Sequence, residues 1–204
     1  MKVSVILAHP DPASFNHAIA QATITALKKG GLEVMYHDLY QERFDAILPS
    51  GEIPKDVVLP PEIAAHCQEA SEADGFVIIH PNWWGMPPAI LTGWVDRVMR
   101  PGIAYEFLEG DTGEGVPNGL LKAKSVIVFN TSNTETERER TVFLDPLETI
   151  WKNCIFDLCG VRHFHRRMFN VIVTSTREQR ENWLKEVEET VASIFNETCM
   201  QHNR

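Results

Sequence analysis

Three stretches of the chain gather side chains whose types suit ligand binding better than core filling. The first, LAHPDPASFNHAI, ends an apolar run with His9 and sets Ser14, Phe15 and Asn16 where a helical pattern begins. A helix start exposes backbone N–H groups and a partial positive charge, so the side chains of Ser14 and Asn16 suit a phosphate there, with His9 adding a donor. Ser14 also reads as an ordinary N-cap. The second stretch, HPNWWGMPPAI, follows another apolar run with Pro81, Asn82, Trp83, Trp84 and Gly85. Side chains at neighbouring positions diverge, so at least one tryptophan faces a ligand or a partner. A planar aromatic ligand would stack on it, with backbone groups near Gly85 meeting its polar edge. An aromatic pair in the core or at an interface is the competing reading. The third stretch, FNTSNTETERE, supplies the hydroxyls, amides and backbone N–H groups of Asn130, Thr131, Ser132 and Asn133, which taken singly make a helix-capping region.

The elements that must bring these stretches together alternate along the chain. Apolar, β-branched runs predict strands over residues 2–8, 32–36, 75–80, 124–130 and 161–173. Helical periodicity, with Pro61 and Pro88 at first-turn positions, predicts helices over 15–29, 61–73, 88–100, 141–158 and 176–195. Residues 38–61 hold four prolines and little periodicity, an irregular excursion, and residues 102–120, with five glycines and the string EGDTGEG, read as a surface loop. The alternation predicts a single α/β domain over residues 1–204, a five-stranded doubly wound parallel sheet with helices on both faces. Ligands of such sheets bind beyond the carboxyl ends of the strands, where the strand order reverses. All three stretches fall at carboxyl ends, after Ala8, His80 and Phe129. A phosphate at one side of such a rim and a flat heterocycle at the other describe a flavin nucleotide.

Composition narrows the alternatives. Nineteen Lys and Arg stand against 28 Asp and Glu, with the acidic residues spread along the chain, so nucleic acid is not an expected partner. The one basic island is Arg162, His163, His165, Arg166 and Arg167. No apolar run reaches the ~18 to 20 residues of a membrane span. VSVILA is too short for a signal-peptide core, so a cytoplasmic protein is expected. Cys67, Cys154, Cys159 and Cys199 form no CxxC and read as reduced thiols filling the core. Cys159, His163 and His165 invite a metal, since histidines two apart share a strand face. Amid three arginines they read instead as a solvated or subunit-contacting face, and no metal is expected.

The segments AHPDPASFNHAI, EADGFVIIHPNWWGMPPAILTGWVDRV, GIAYEF and NCIFDLCGV lie in order over nearly the whole chain. Together they resemble the NAD(P)H:quinone oxidoreductase family of the flavodoxin-like fold, which includes DT-diaphorase and the ancillary oxidoreductases of potassium-efflux systems. The specific signal is a strand followed by P-x-W-W/F-G-x-P-A-x-L-K/T-G-W. The resemblance implies that His9, Ser14, Phe15 and Asn16 hold the flavin phosphate. It implies that Pro81, Asn82, Trp83, Trp84 and Gly85, with Met86, run along the isoalloxazine, and that the backbone of Thr131 to Thr134 meets its carbonyl and N1 side. Tyr105 and Phe107 match positions that line the substrate side of the flavin across a dimer interface, which implies a homodimer. In the third stretch Asn130, Thr131, Ser132 and Asn133 stand where better-known members carry T-T-G-G. Thr141 takes the place of a histidine, and the family's Tyr and His pair has no counterpart. The long C-terminal extension of the animal enzymes is also missing, which points to FMN, although FAD suits the same loop.

The chemistry implied is two-electron and ping-pong: NAD(P)H delivers a hydride to the flavin and leaves, and a quinone or another flat aromatic acceptor takes the electrons. The cofactor supplies the redox chemistry and the protein positions the partners. Tyr105 and Asn133 are assigned to orienting the acceptor and the flavin edge. Two other roles share the fold: a one-electron flavodoxin carrier without a nicotinamide pocket, and a flavin-binding regulatory subunit acting through a membrane transporter of the potassium-efflux type.

Overall fold

The computed structural model describes residues 1–108, 110 and 115–202, with side chains in the last helix described as far as Phe195. In chain order it contains β1 (Lys2–Leu7), α1 (Phe15–Lys29), β2 (Glu33–Asp38), α2 (Pro61–Glu72), β3 (Gly75–Pro81) and α3 (Ala89–Val98). Then come β4 (Tyr105–Glu106), β5 (Asn118–Gly119), β6 (Ser125–Thr131), α4 (Thr136–Thr141) and α5 (Pro146–Glu148), which runs into a π-helical stretch, Thr149–Phe156. β7 (His163–Phe169) and α6 (Arg177–His202) close the chain. Five strands pair in parallel in the order β2-β1-β3-β6-β7. The chain leaves β1 toward one edge and returns at β3 toward the other, and that reversal opens a crevice at their carboxyl ends.

Strand alternation sorts the apolar side chains into two cores. Val3, Val5 and Leu7 of β1 join Ile19 and Leu27 of α1 and Trp183 and Val187 of α6 on one face. Ile6 and Ala8 join Ile63 of α2, Leu91 and Trp94 of α3, and Trp151 and Phe156 on the other. β3 and β6 are buried along all seven of their residues, which is why they read as unbroken apolar runs.

The structure corrects several expectations. Residues 141–158 are not one helix: α4 ends at Thr141, Leu144 and Asp145 take left-handed backbone angles (φ 62° and 45°), and helix resumes only at Pro146. A proline cannot sit inside a helix without losing a hydrogen bond and crowding the preceding turn, and Asp-Pro marks such a break. The last strand ends at Phe169 rather than Val173. The segment 102–120 contains the short antiparallel pair of β4 and β5; most of its EGDTGEG string, residues 109 and 111–114, lies outside the described residues. Cys67 and Cys159 are buried as expected, but Cys154 is exposed, and the Cys199 side chain lies outside the description. Among the described residues no helix is long and apolar enough to cross a membrane.

The excursion after β2 is held down by α3. A methyl group at Gly93 would overlap the carbonyl of Ala46, so only glycine lets the excursion cross there. Arg97, 2% exposed, donates from Nε and Nη2 to the Glu52 carboxylate at 3.0 and 2.5 Å, and from Nη1 to the Asp45 carbonyl at 2.6 Å. Arg100 Nη2 donates to the carbonyls of Glu52 and Pro54, both at 2.8 Å. Such paired, charge-assisted bonds fix a segment that has no periodic packing of its own. Gly93→Ala is expected to lower stability by about 2 kcal/mol or more, read as a shifted urea midpoint.

Candidate functional site

A cleft of about 880 Å³ opens at the carboxyl ends of the strands. That volume lies in the range of about 300 to 1,000 Å³ typical of small-molecule sites. Its first wall is the loop after β1 and the start of α1. Asp11 closes the loop by accepting the Ala13 N–H at 2.9 Å, and Ser14 caps the helix, its Oγ accepting the His17 N–H at 3.4 Å. Asn16, 2% exposed, donates from Nδ2 to Thr131 Oγ1 at 2.9 Å, while its Oδ1 is buried without a partner. That bond ties the first wall to the third.

The second wall is a tight turn. Trp83 and Met86 exchange backbone hydrogen bonds at 3.1 and 3.0 Å, and both central residues have positive φ, Trp84 at 59° and Gly85 at 74°. These are the angles of a type I′ turn, in which Asn-Gly is the usual pair. A tryptophan there is strained, and Trp84 is nevertheless 97% exposed, so its own packing does not hold it. The hold comes from below. Asn82 Oδ1 accepts the Gly85 N–H at 3.0 Å, and Asn82 Nδ2 donates at 2.9 Å to Oε1 of Glu139, a carboxylate only 1% exposed. The Asn82 N–H donates to the Thr131 carbonyl at 2.6 Å. Pro146 packs under Gly85 so closely that a methyl group at Gly85 would collide with its ring.

In the third wall Ser132 Oγ accepts the Thr134 N–H, and Asn133 Oδ1 accepts the Val173 N–H, both at 3.0 Å. Beneath the cleft His80 is fully buried. Trp151 Nε1 donates to its Nε2 at 2.9 Å, so the proton sits on Nδ1 and is donated to the Pro81 carbonyl at 2.8 Å. Burial pushes this imidazole down to about 4, which keeps it neutral.

The family model of the flavodoxin-like fold matches residues 1–191. An uncharacterized NAD(P)H oxidoreductase of Haemophilus influenzae is 31% identical over 172 residues, covering 82% of this chain and 83% of that one. The chain belongs to the NAD(P)H:quinone oxidoreductase family of the flavodoxin-like fold. It is an enzyme, an oxidoreductase. NAD(P)H dehydrogenase [quinone] 1 of Rattus norvegicus is 34% identical over 122 residues, covering 50% of this chain and 44% of the rat enzyme. Among solved structures, the NAD(P)H:quinone oxidoreductase from Methanothermobacter marburgensis superposes with a TM-score of 0.81 at 24% identity, covering 95% of this chain and 96% of that one.

Most of the residues that the family resemblance singled out do meet in one cleft: His9, Ser14, Phe15 and Asn16 on one side, Pro81 to Gly85 on another, and Thr131 to Asn133 on the third. Asn130 does not line it. Strand alternation turns that side chain to the opposite face of β6, where its Oδ1 accepts from Arg166 Nε at 3.0 Å. Tyr105 does not line the cleft of its own chain either; it sits in β4 against the core, its ring edge-on to Phe107 at 5.9 Å. Sequence reasoning missed Glu139, Phe143, Pro146 and Arg180, all of which line the cleft. The signal for Phe143 and Pro146 was Pro146 itself, which breaks the helix drawn over 141–158; Glu139 and Arg180 carried none.

Cys159, His163 and His165 do not come together as ligands. Among the described residues the group whose ligand atoms lie within 4.8 Å of one another is His37, Glu42 and His66. Trp94 Nε1 donates to His66 Nδ1 at 3.2 Å, which leaves the His66 proton on Nε2, the nitrogen nearer Glu42. Burial and then the neighbouring His37 push His66 down to about 4. A ring whose outward nitrogen bears the proton is no metal ligand, and the group serves to clamp β2 to α2 through His37, Glu42 and Glu69.

Two outcomes follow from these bonds. Asn82→Ala strips a buried carboxylate of its donor and frees the strained turn, with an expected loss of about 1 to 3 kcal/mol in urea unfolding and a changed Trp84 environment in fluorescence. Unfolded His80 takes up a proton near pH 6.5 and the folded form only near 4, so stability falls as pH drops between those values. His80→Gln is expected to remove roughly 3 kcal/mol of that fall, measured as the difference between the two proteins' pH–stability curves.

Proposed function

We propose that the protein binds FMN in this cleft and uses NAD(P)H to reduce quinones or similar flat aromatic acceptors by two-electron ping-pong transfer. The observation that carries the reading is the meeting, in one cleft, of a donor-rich helix start with an exposed tryptophan turn. The orphaned Asn16 Oδ1 supports it, because buried polar atoms without partners are rare. Oxygen and nitrogen of an amide are assigned from their partners. Turned over, the Asn16 amide accepts the Thr131 hydroxyl proton and presents Nδ2 to an anionic oxygen.

A bound flavin supplies hydride acceptance and release. The protein does the rest. Ser14, Asn16 and the first backbone N–H groups of α1 hold the phosphate, with His9 beside them, and Phe15 anchors the helix start against Phe169 and Trp183. The backbone of Pro81 to Gly85 and the ring of Trp83 lie along the isoalloxazine. Thr131 to Asn133 meet its polar edge with hydroxyl and backbone donors, with Asn133 orienting the edge. Glu139 keeps Asn82, and so the turn, in place. Tyr105 and Phe107, outside the cleft of their own chain, would serve the cleft of a second copy in a homodimer.

The test is reconstitution of the purified chain with FMN, followed by anaerobic addition of NADH or NADPH and then a quinone. Expected are a bound-flavin absorption band, full bleaching without a stable radical, and recovery on adding the quinone. Ser14→Ala is expected to weaken FMN binding by about tenfold, the loss of one charge-assisted hydrogen bond. A bound flavin that NAD(P)H does not bleach would point to the carrier or regulatory role, and failure to take up any flavin would overturn the proposal.

A further inference from the structure

The loop after β1 and the first turn of α1 contain no Lys and no Arg, yet the reading above, on which this inference rests, seats a phosphate dianion there. The structure holds a device that answers the missing charge. His17, in the first turn of α1, has both ring nitrogens engaged: Nε2 lies 2.9 Å from Asp38 Oδ2, and Nδ1 lies 3.0 Å from Ser14 Oγ. Asp38, 6% exposed, is itself fixed, its Oδ1 accepting the N–H groups of Tyr40 and Gln41 at 3.1 Å. A carboxylate only accepts, so the proton between His17 and Asp38 resides on Nε2.

The state of Nδ1 then decides what the Ser14 hydroxyl can do. With Nδ1 bare, the hydroxyl donates to it, and the oxygen already accepts the His17 backbone N–H, so Ser14 has no donor left for a ligand. With Nδ1 protonated, the ring donates to Oγ and the hydroxyl proton is free to turn into the cleft. We propose that seating a phosphate monoester at the start of α1 places a proton on His17 Nδ1, which makes Ser14 a donor and adds a cation, His17, at the helix start. One proton passes from solvent to the ring, and no bond to phosphorus forms or breaks. His17 acts through Ser14 and is a positioning residue.

The surroundings favour His17 over the alternatives. His9, its ring 6.3 Å away, accepts the Asp11 N–H at Nδ1 and is held by burial below the ordinary histidine range. From α6, Arg180 lies over the Phe15 ring at 5.9 Å and donates to Ser175 and to the Ile172 carbonyl; its charge does not change with pH. From β2, Tyr36 is pushed up to about 12 by burial and then by Asp38, so it stays neutral. Lys2 lies at the far end of β1, and His80 of β3 belongs to the opposite face. The buried, unpartnered Asn16 Oδ1, lining the same cleft, is the independent sign that this corner receives a ligand.

The experiment compares FMN with riboflavin, which lacks the phosphate, on the full-length chain between pH 7 and 9. The phosphate, with a second pKa of about 6, is already a dianion there. Kd comes from quenching of flavin fluorescence, and proton uptake from calorimetry in two buffers of different ionisation enthalpy. Expected are an FMN affinity that falls as pH rises, proton uptake with FMN, and neither effect with riboflavin. His17→Asn and Asp38→Asn are each expected to abolish the uptake and weaken FMN binding by about tenfold or more, while riboflavin binding, unchanged, reports an intact cleft. FMN binding that is independent of pH, or an uptake that persists in His17→Asn, would overturn this inference alone. Absence of binding by either flavin would overturn the flavin reading and this inference with it.

Discussion

The guanidinium of Arg166 crosses from β7 to the segment after α4 and ties that segment to the sheet. It donates to Asn130 on the neighbouring strand, to Asp145 at 2.9 Å and to Glu148 at 3.2 Å. Asp145 and Leu144 adopt left-handed backbone conformations that cost roughly 1 to 2 kcal/mol each in isolation, and the arginine's bonds to Asp145 and Glu148 offset such a cost. That kink puts Pro146 under Gly85, and the Asp145 N–H donates to the Glu139 carbonyl, holding the end of α4 where its carboxylate meets Asn82. The upper wall of the cleft therefore depends on a charge buried on the other side of the sheet.

This support explains how an exposed tryptophan can sit in a turn conformation that favours asparagine or glycine. The turn makes only two backbone bonds of its own, and Asn82 adds a third from below. Strain at a site persists only where the surroundings over-determine it. Here Asn82, Glu139 and Pro146, from three separate segments, converge on four residues. A rigid, exposed aromatic edge above a pre-formed cleft suits a flat ligand, because little is lost in ordering the wall when the ligand arrives.

Polar groups around the cleft follow a common rule. The buried histidines have their protons assigned by neighbours that can only donate or only accept: Trp151 for His80, Trp94 for His66. Burial keeps both neutral and removes them from titration near pH 7. His17 differs because its fixed neighbour is a carboxylate and its other nitrogen meets a hydroxyl that can both give and take. The same residue type serves as a structural strut in one setting and holds a hydroxyl of the cleft wall in the other.

Much of this was legible in the residues. β3 and β6 were plain because a strand buried on both faces must be apolar throughout, and α1 because Ser14 and the two glycines at 30 and 31 mark its ends. The rim of the cleft was legible because doubly wound sheets bind at carboxyl ends, which turns three loops far apart in sequence into one site. Glu139 and Arg180 were not legible. Glu139 meets Asn82, 57 residues away, and Arg180 lies over the distant ring of Phe15, and no local periodicity encodes such pairings. Asn130 looked like a ligand group because its type is right, and strand alternation turned it to the other face. What the sequence determined by itself was most of the strands and helices of the main sheet and the three loops at its carboxyl rim, since hydrophobic period and capping are local. Only the tertiary structure decided which polar side chains face the cleft and which hold it up, since that depends on hydrogen bonds closed across the sheet.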